Sequence, residues 1–410
     1  MSRIVMKFGG TSVAGIPEIE NAAKKVAAEV ARGHEVAVVV SAMAGVTNQL
    51  VEYCNEINTN HDPREYDAVV SSGENVTAGL MALTLQKMGI SSRSWQGWQI
   101  PLVTDEVHGK ARIGFIESQE LEQSLISGEV GVIAGFQGKT AKNRITTLGR
   151  GGSDTTAVAV AAALKADRCD IYTDVNGVYT TDPRIVPEAR KLDKISFEEM
   201  LEMASLGAKV LMSRSVEMAM KMNVPVQVLS TFEDSIGSDY PGTLVTKEED
   251  IVEKQAVNGV AFSRNEAKIT ILDVPDIPGI AAKVFGPLAD ANINIDMIVQ
   301  NIASNGKNTD MTFTVPKAEL ARVQDVLSKI NDLKNAGIRT DDKVSKVSVV
   351  GIGMQSHAGV AQTMFKALAE KGINIQVIST SEIKISVLID EAYTELAIRA
   401  LHTAYNLDKV

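Results

Sequence analysis

Lys7 stands two residues ahead of a glycine pair in Lys7-Phe8-Gly9-Gly10-Thr11-Ser12, and that spacing is the first chemical signal in the chain. Paired glycines let backbone N–H groups come close to phosphate oxygens, and an ammonium beside them offsets the phosphate charge. An ordinary strand-end turn uses the same glycines, so the motif gains weight only beside a second one. Gly149-Arg150-Gly151-Gly152-Ser153-Asp154-Thr155-Thr156 runs into an alanine-rich stretch, Ala157 to Leu164, that reads as a helix. Ser153 or Asp154 is suited to cap it, and the free N–H groups and dipole of a helix start favour an anion. Capping gives no reason for an arginine among three glycines, whereas the planar fork of Arg150 matches a carboxylate or a phosphate. A third polar segment, Tyr172 to Arg184, leaves a strand with many Asp and hydroxyl residues. A solvated hairpin would also use its Asn176-Gly177 and Asp182-Pro183, so its role stays open on the residues alone.

Two common nucleotide motifs are excluded by single positions. A P-loop ending in Gly138-Lys139-Thr140 needs glycine at 133 and finds Ile133. A dinucleotide fingerprint starting at Gly149 and Gly151 needs glycine at 154 and finds Asp154. A phosphate site here belongs to neither class.

The elements that must hold these motifs are short apolar runs alternating with helical patterns up to about residue 245. Ile4 to Phe8, Val36 to Val40, Val130 to Phe136, Asp170 to Thr173 and Val224 to Leu229 read as strands of an α/β sheet, mostly parallel. Between the first two, Pro17 opens a helix, Ile19, Ala23, Val26 and Val30 recur on one face, and Gly33 ends it. A charged linker, 246–262, separates this region from a repeat. Aligning Gly279 with Gly359 superposes Phe285 on Phe365, Leu288 on Leu368, Ile293-Asn294-Ile295 on Ile373-Asn374-Ile375 and Ile298 on Ile378 without a gap. Each copy reads as strand (Lys268 to Asp273; Lys346 to Gly351), glycine turn, helix and two strands, closed by a helix at Leu320 to Ile330 or Leu396 to Tyr405. Two α+β modules follow, at 263–340 and 341–410. Pro287 is expected to kink or interrupt the first module's helix.

Composition bounds the partners. With 410 residues, 45% of them hydrophobic and 22% charged, the chain can bury two or three cores, and it is expected to be a soluble globular protein. No basic-then-apolar leader opens it and no apolar run approaches the ~20 residues of a membrane span, so a cytoplasmic location away from the membrane is expected. Two cysteines, Cys54 and Cys169, are too few for a disulfide framework. A net charge of -10 without a basic stripe argues against nucleic acid and for small-molecule partners.

Lys7 to Ser12, Ser41-Ala42-Met43, Ser72-Gly73-Glu74, Gly135-Phe136-Gln137-Gly138, Gly149 to Thr155 and Asp174 to Arg184 together resemble, in order and spacing, the aspartate kinases of the amino-acid kinase family. The two C-terminal repeats resemble that family's tandem ferredoxin-like ACT modules, which bind feedback effectors. The resemblance implies an amino-acid kinase fold in 1–245, ATP with Mg²⁺ as co-substrate, and transfer of the γ-phosphoryl to the β-carboxylate of L-aspartate. This is the first step toward lysine, threonine and methionine. It implies that Lys7, Gly9 and Gly10 contact the ATP phosphates, and that Asp154 orients Lys7 or a magnesium-bound phosphate. Ser41, Thr47, Glu74, Arg150, Gly151, Gly152 and Ser153 would hold aspartate. Thr173, Asp174, Tyr179, Asp182, Arg184 and Lys209 would line the nucleotide site.

No general base is needed, because a carboxylate nucleophile is already ionised at neutral pH. The resemblance places effectors, L-lysine and L-threonine being the usual ones, near Asp276, Gly279, Ile280, Ala281, Asn294, Ile295, Asp296 and Gln300. The matching positions of the second module are Ala361, Gln362, Ile375, Gln376, Glu382 and Ile383. The isoleucines would pack a core in any case, so Asp276, Asp296 and Gln300 are the informative positions. Pro278-Gly279 becomes Ala358-Gly359 in the second copy, so the modules need not bind equally. A homo-oligomer joined through the ACT modules, or a hetero-oligomer with a separately translated regulatory subunit, is expected. Other carboxylate kinases of the same fold, glutamate 5-kinase and acetylglutamate kinase, and a non-catalytic amino-acid sensor are the alternatives.

Overall fold

The computed structural model describes residues 2–207, 210–234, 236–239, 241–250, 255–302, 308–333, 336–355 and 357–409. The chain forms two compact units. The first comprises Met1–Val178, Lys191–Ser205 and Lys209–Val252; the second comprises Tyr179–Arg190, Leu206–Ala208 and Glu253–Val410.

The first unit opens with β1 (Arg3–Phe8), α1 (Ile16–Ala31), β2 (Glu35–Val40), α2 (Val46–Ile57), α3 (Pro63–Val70) and α4 (Ser72–Lys87). It continues with β3 (Ser92–Trp95), β4 (Leu102–Thr104), β5 (Ile113–Ile116), α5 (Gln119–Ile126), β6 (Val130–Ala134), β7 (Gln137–Lys139) and β8 (Ile145–Thr147). It closes with α6 (Gly152–Ala163), β9 (Arg168–Thr173), β10 (Lys194–Ser196), α7 (Phe197–Ser205), α8 (Ser213–Met222), β11 (Val226–Ser230) and β12 (Thr243–Thr246).

Eight strands make the main sheet in the order β10-β12-β11-β9-β1-β2-β6-β3, and only the β11–β12 pair is antiparallel. A parallel sheet covered on both faces needs strands that are apolar throughout, and Val36 to Val40 are all buried. Ile19, Ala23 and Val26 turn one face of α1 onto Ile4, Met6 and Val38, joined by Met81 and Leu85 of α4. Pro17 lies in the first turn of α1, and Gly33 follows its end in the left-handed conformation (φ 81°). Because β1, β2, β6 and β9 are parallel, the segments after Phe8, Val40, Ala134 and Thr173 leave from one edge of the sheet, where ligands of such sheets bind. A smaller sheet, β5-β4-β7-β8, forms in the same unit.

The second unit contains β13 (Gly259–Pro275), α9 (Ile280–Asp290), β14 (Asp296–Ile302), β15 (Asn308–Val315) and α10 (Leu320–Ser328), then β16 (Gly337–Val350), α11 (Val360–Glu370), β17 (Val377–Thr380), β18 (Lys384–Asp390) and α12 (Thr394–Ala404). Its six strands form one sheet, β14-β15-β13-β16-β18-β17, antiparallel throughout. Each βαββα module has its own core: Ile269, Phe313 and Leu288 in the first, Val347, Val387 and Leu401 in the second.

Three features differ from the sequence reading. β13 and β16 begin well before Lys268 and Lys346, and β13 starts inside the expected linker at Gly259; the two strands satisfy each other's backbone from Gly259↔Val350 to Leu272↔Gly337. Tyr179–Arg190 clusters with the second unit rather than with residues 1–245. Val186 is buried there with Val257, Val260 and Val347, the Thr180 carbonyl accepts from the Val260 N–H at 2.7 Å, and Arg190 Nε donates to the Leu407 carbonyl at 2.9 Å. Finally, Pro287 does not interrupt α9, because burial of Val284 and Leu288 in the module core outweighs one missing backbone hydrogen bond. Among the described residues no helix is long and apolar enough to cross a membrane.

Candidate active site

A cavity of about 330 Å³ opens at the carboxyl ends of β1, β2 and β6. From β1 it receives Lys7, whose ammonium lies 2.6 Å from Asp154 Oδ1; both side chains are about nine-tenths buried. At that separation the two form a charge-assisted ion pair. Glycine at position 9 leaves room for this lysine, since a Cβ there would come within 3.3 Å of Lys7 Nζ.

Neither Ser153 nor Asp154 caps α6. The helix starts two or three residues earlier than a cap at either residue would place it, at Gly152, with Gly151 as its N-cap in the left-handed conformation (φ 70°) and no side-chain cap. A Cβ on Gly151 would run into Met212, so glycine is required on two counts. With Asp154 turned to Lys7, the uncapped helix start faces the cavity as an anion site. Arg150 is exposed at the rim between Gly149 and Gly151. The start of α2 adds a second uncapped N-terminus, bringing Gly45, Thr47 and Asn48 to the same wall.

Glu74, in the first turn of α4, supplies the opposite charge. Its Oε1 accepts from the Ala42 N–H at 3.0 Å, while the buried Oε2 has no hydrogen-bond partner among the described residues. Burial pushes this carboxyl up to about 7 against the pull of the Ala42 N–H. A carboxylate held this way gains strongly from an ammonium placed on it. Ser41 and Ser153 complete the polar lining.

The cavity thus gathers Lys7, Gly10, Ser41, Thr47, Glu74, Arg150, Gly151, Gly152, Ser153 and Asp154, residues drawn from across the first unit. Asn48 and Phe136 also line it and were not anticipated as site residues. Phe136 sits in the left-handed region (φ 67°), a conformation with no sequence signal for a phenylalanine.

Comparison with known proteins gives the family. Residues 2–230 match the family model described as the amino acid kinase family, and residues 268–335 and 347–405 each match an ACT domain. An aspartate kinase of Pseudomonas putida is 54% identical over 100% of this chain and 98% of its own. The chain belongs to the amino acid kinase family, among its aspartate kinases. The crystal structure of Escherichia coli aspartokinase III in complex with aspartate and ADP is 28% identical, with a TM-score of 0.80 over 98% of this chain and 99% of that one. The same enzyme in complex with lysine and aspartate gives 0.76 at the same identity and coverage. This kinase transfers a phosphoryl group from ATP to aspartate, and its two ACT domains fit allosteric regulation.

The expected nucleotide residues of the kinase divide. Gly9, Thr173 and Asp174 belong to the first unit but do not line the cavity. The Gly9 N–H donates to the Tyr172 carbonyl at 3.3 Å, and Thr173 Oγ1 donates to the exposed Asp174 at 3.1 Å. Tyr179, Asp182 and Arg184 lie in the second unit, where the exposed Arg184 pairs with Asp182 at 2.7 Å. Lys209 lies outside the described residues.

In the first ACT module Gly279 (φ 87°) begins α9, and Ile280 and Ile295 pack the core. Asp276, Ala281, Asn294 and Gln300 are exposed. Asp296 is already committed to Lys346, which approaches its Oδ2 to 2.5 Å and Glu266 to 3.2 Å. In the second module Ala361 and Ile375 pack the core, Gln376 bonds Lys268, Gln362 and Glu382 are exposed, and Ile383 accepts from the Gly351 N–H.

Proposed function

We propose that the cavity seats L-aspartate with its ammonium on Glu74 and a carboxylate on Arg150, leaving the β-carboxylate to attack the γ-phosphoryl of ATP and give 4-phospho-L-aspartate. The carrying observation is the sorting of charge on one surface: Lys7, Arg150 and two uncapped helix starts for anions, and one buried half-paired carboxylate for a cation. The nucleophile is ionised at neutral pH, so no residue must remove a proton, and positioning and charge neutralisation supply the catalysis. Lys7, steered by Asp154, neutralises charge on the transferring group. Mg²⁺ enters with ATP; such ions need only one or two protein carboxylates besides phosphate oxygens, and Asp154 and Asp174 are of the right kind. The reaction draws on cytoplasmic pools of ATP and aspartate.

Arg150→Ala is expected to raise the aspartate KM by about 10- to 100-fold and to leave the melting temperature nearly unchanged, because the side chain is exposed and its partner is the substrate. Kinetics beside thermal melting decide it. A purely structural turn would instead show lost stability with an unchanged KM.

Lysine and threonine are the effectors this reading assigns to the ACT modules, and the lysine complex of the E. coli relative supports the first of them. Self-association through residues 255–410 gives effectors two arrangements to choose between. A tenfold preference for the less active state is only about 1.4 kcal/mol, so one polar contact decides it. Asp276→Ala or Gln300→Ala is therefore expected to relieve inhibition by saturating lysine plus threonine while leaving uninhibited turnover within about twofold. Variants as strongly inhibited as the parent would move the effector site elsewhere.

A further inference from the structure

Asp67, on α3, is completely buried and lies outside the cavity lining. A buried carboxylate is costly unless donors surround it, and the donors that surround this one come from two short segments. His108 Nδ1 lies 2.8 Å away, the Gly109 N–H donates to both oxygens at 3.1 Å, and the Thr147 hydroxyl donates at 2.6 Å. Those segments are the β4–β5 connection and the last residue of β8, and they flank the turn that carries Arg150. The Ala111 N–H bonds the Thr147 carbonyl at 3.0 Å, and Gly149 packs so closely on the connection that a Cβ there would stand 3.1 Å from the Gly109 carbonyl.

A second charged side chain grips the same two segments. Arg214, on α8, donates from Nη1 to the Leu148 carbonyl at 2.6 Å and from Nη2 to the Ala111 carbonyl at 2.5 Å. Apolar side chains could fill both places if stability alone were at stake. What the two charges add is direction. Thr147 and Leu148 are the residues from which the Gly149–Gly151 turn departs, with Gly149 and Gly151 at φ 77° and 70°. Arg150 has a long, freely rotating side chain, so the direction its backbone leaves the turn determines where its fork is presented.

We propose that Asp67 and Arg214 are positioning residues that hold the Gly149–Gly151 turn so that Arg150 meets a substrate carboxylate. This rests on the reading of Arg150 given above. Neither residue touches substrate; both act through Arg150, and that is what separates them from general structural residues.

The test uses the full-length enzyme and steady-state kinetics in aspartate and in ATP for Asp67→Asn, Arg214→Gln and Arg214→Lys, each alone and combined with Arg150→Ala, beside thermal melting of every variant. Expected are an aspartate KM raised about tenfold for Asp67→Asn and Arg214→Gln, a smaller rise for Arg214→Lys, which keeps a donor, and an ATP KM within about twofold. In the double variants the aspartate KM should be no higher than in Arg150→Ala alone, since the position being held is no longer used. If Asp67→Asn does not fold, the two Arg214 variants carry the test. Folded variants with an unchanged aspartate KM, or effects that multiply with that of Arg150→Ala, overturn the inference while the Arg150 reading stands. An unchanged KM for Arg150→Ala itself overturns both.

Discussion

Lys7→Ala is expected to lower kcat on the order of 10³-fold and to leave a folded protein. The ammonium lies against Asp154 at the end of β1, and on the proposed reading it faces the transferring phosphoryl group, a contact worth more in the transition state than in the ground state. The aspartate KM should change little, because Glu74 and Arg150 are untouched. Asp154 loses its ion partner, but its place on the cavity wall gives it water as a substitute, so circular dichroism should show the parent's spectrum. Turnover retained within about threefold would remove Lys7 from the chemistry.

Glu74→Gln has the second large effect and gives opposite signs in two experiments. An ammonium needs the ionised acid, and the free enzyme's Glu74 takes up a proton as pH falls through about 7. In the parent, kcat/KM for aspartate should therefore fall about tenfold per pH unit below that point. Glutamine should reduce kcat/KM about 10- to 100-fold at pH 8 and abolish that limb. Stability moves the other way. The folded value, about 7, lies above the ordinary 4.5, so the unfolded chain ionises first as pH rises, and the fold loses stability between 4.5 and 7. Above 7 the loss is complete, at roughly 3 kcal/mol. Melting curves should show Glu74→Gln more stable than the parent at pH 8, with the gap closing toward pH 4.5. A variant that lost both affinity and stability would mark Glu74 as structural.

The chemistry of the cavity was legible because it depends on residue types that are unusual in their local setting, an arginine between glycines and a lysine before a glycine pair. The strands were legible because a doubly covered sheet writes itself as unbroken apolar runs such as Val36 to Val40. Local capping is not legible in the same way: Ser153 and Asp154 are good caps in isolation, yet Asp154 is drawn to Lys7, which only the fold brings near. What the sequence could not carry is pairing over distance. Asp67 meets His108 across 41 residues and Arg214 meets Ala111 across 103, with no periodicity to announce either. The same holds for β13 and β16, whose extra length exists only because each is the other's partner, and for Tyr179–Arg190, whose buried Val186 and Thr180 join the second unit. Lys346 belongs here as well, since its hold on Asp296 changes what an effector would find there.

The most direct test of the central claim is hydroxylamine trapping of the acyl phosphate. Purified enzyme with MgATP and hydroxylamine should yield the β-hydroxamate of aspartate, in an amount matching the ADP released, and none with glutamate or N-acetylglutamate. Hydroxamate formed from either of those acids in preference to aspartate, or from no acid at all, would contradict the account.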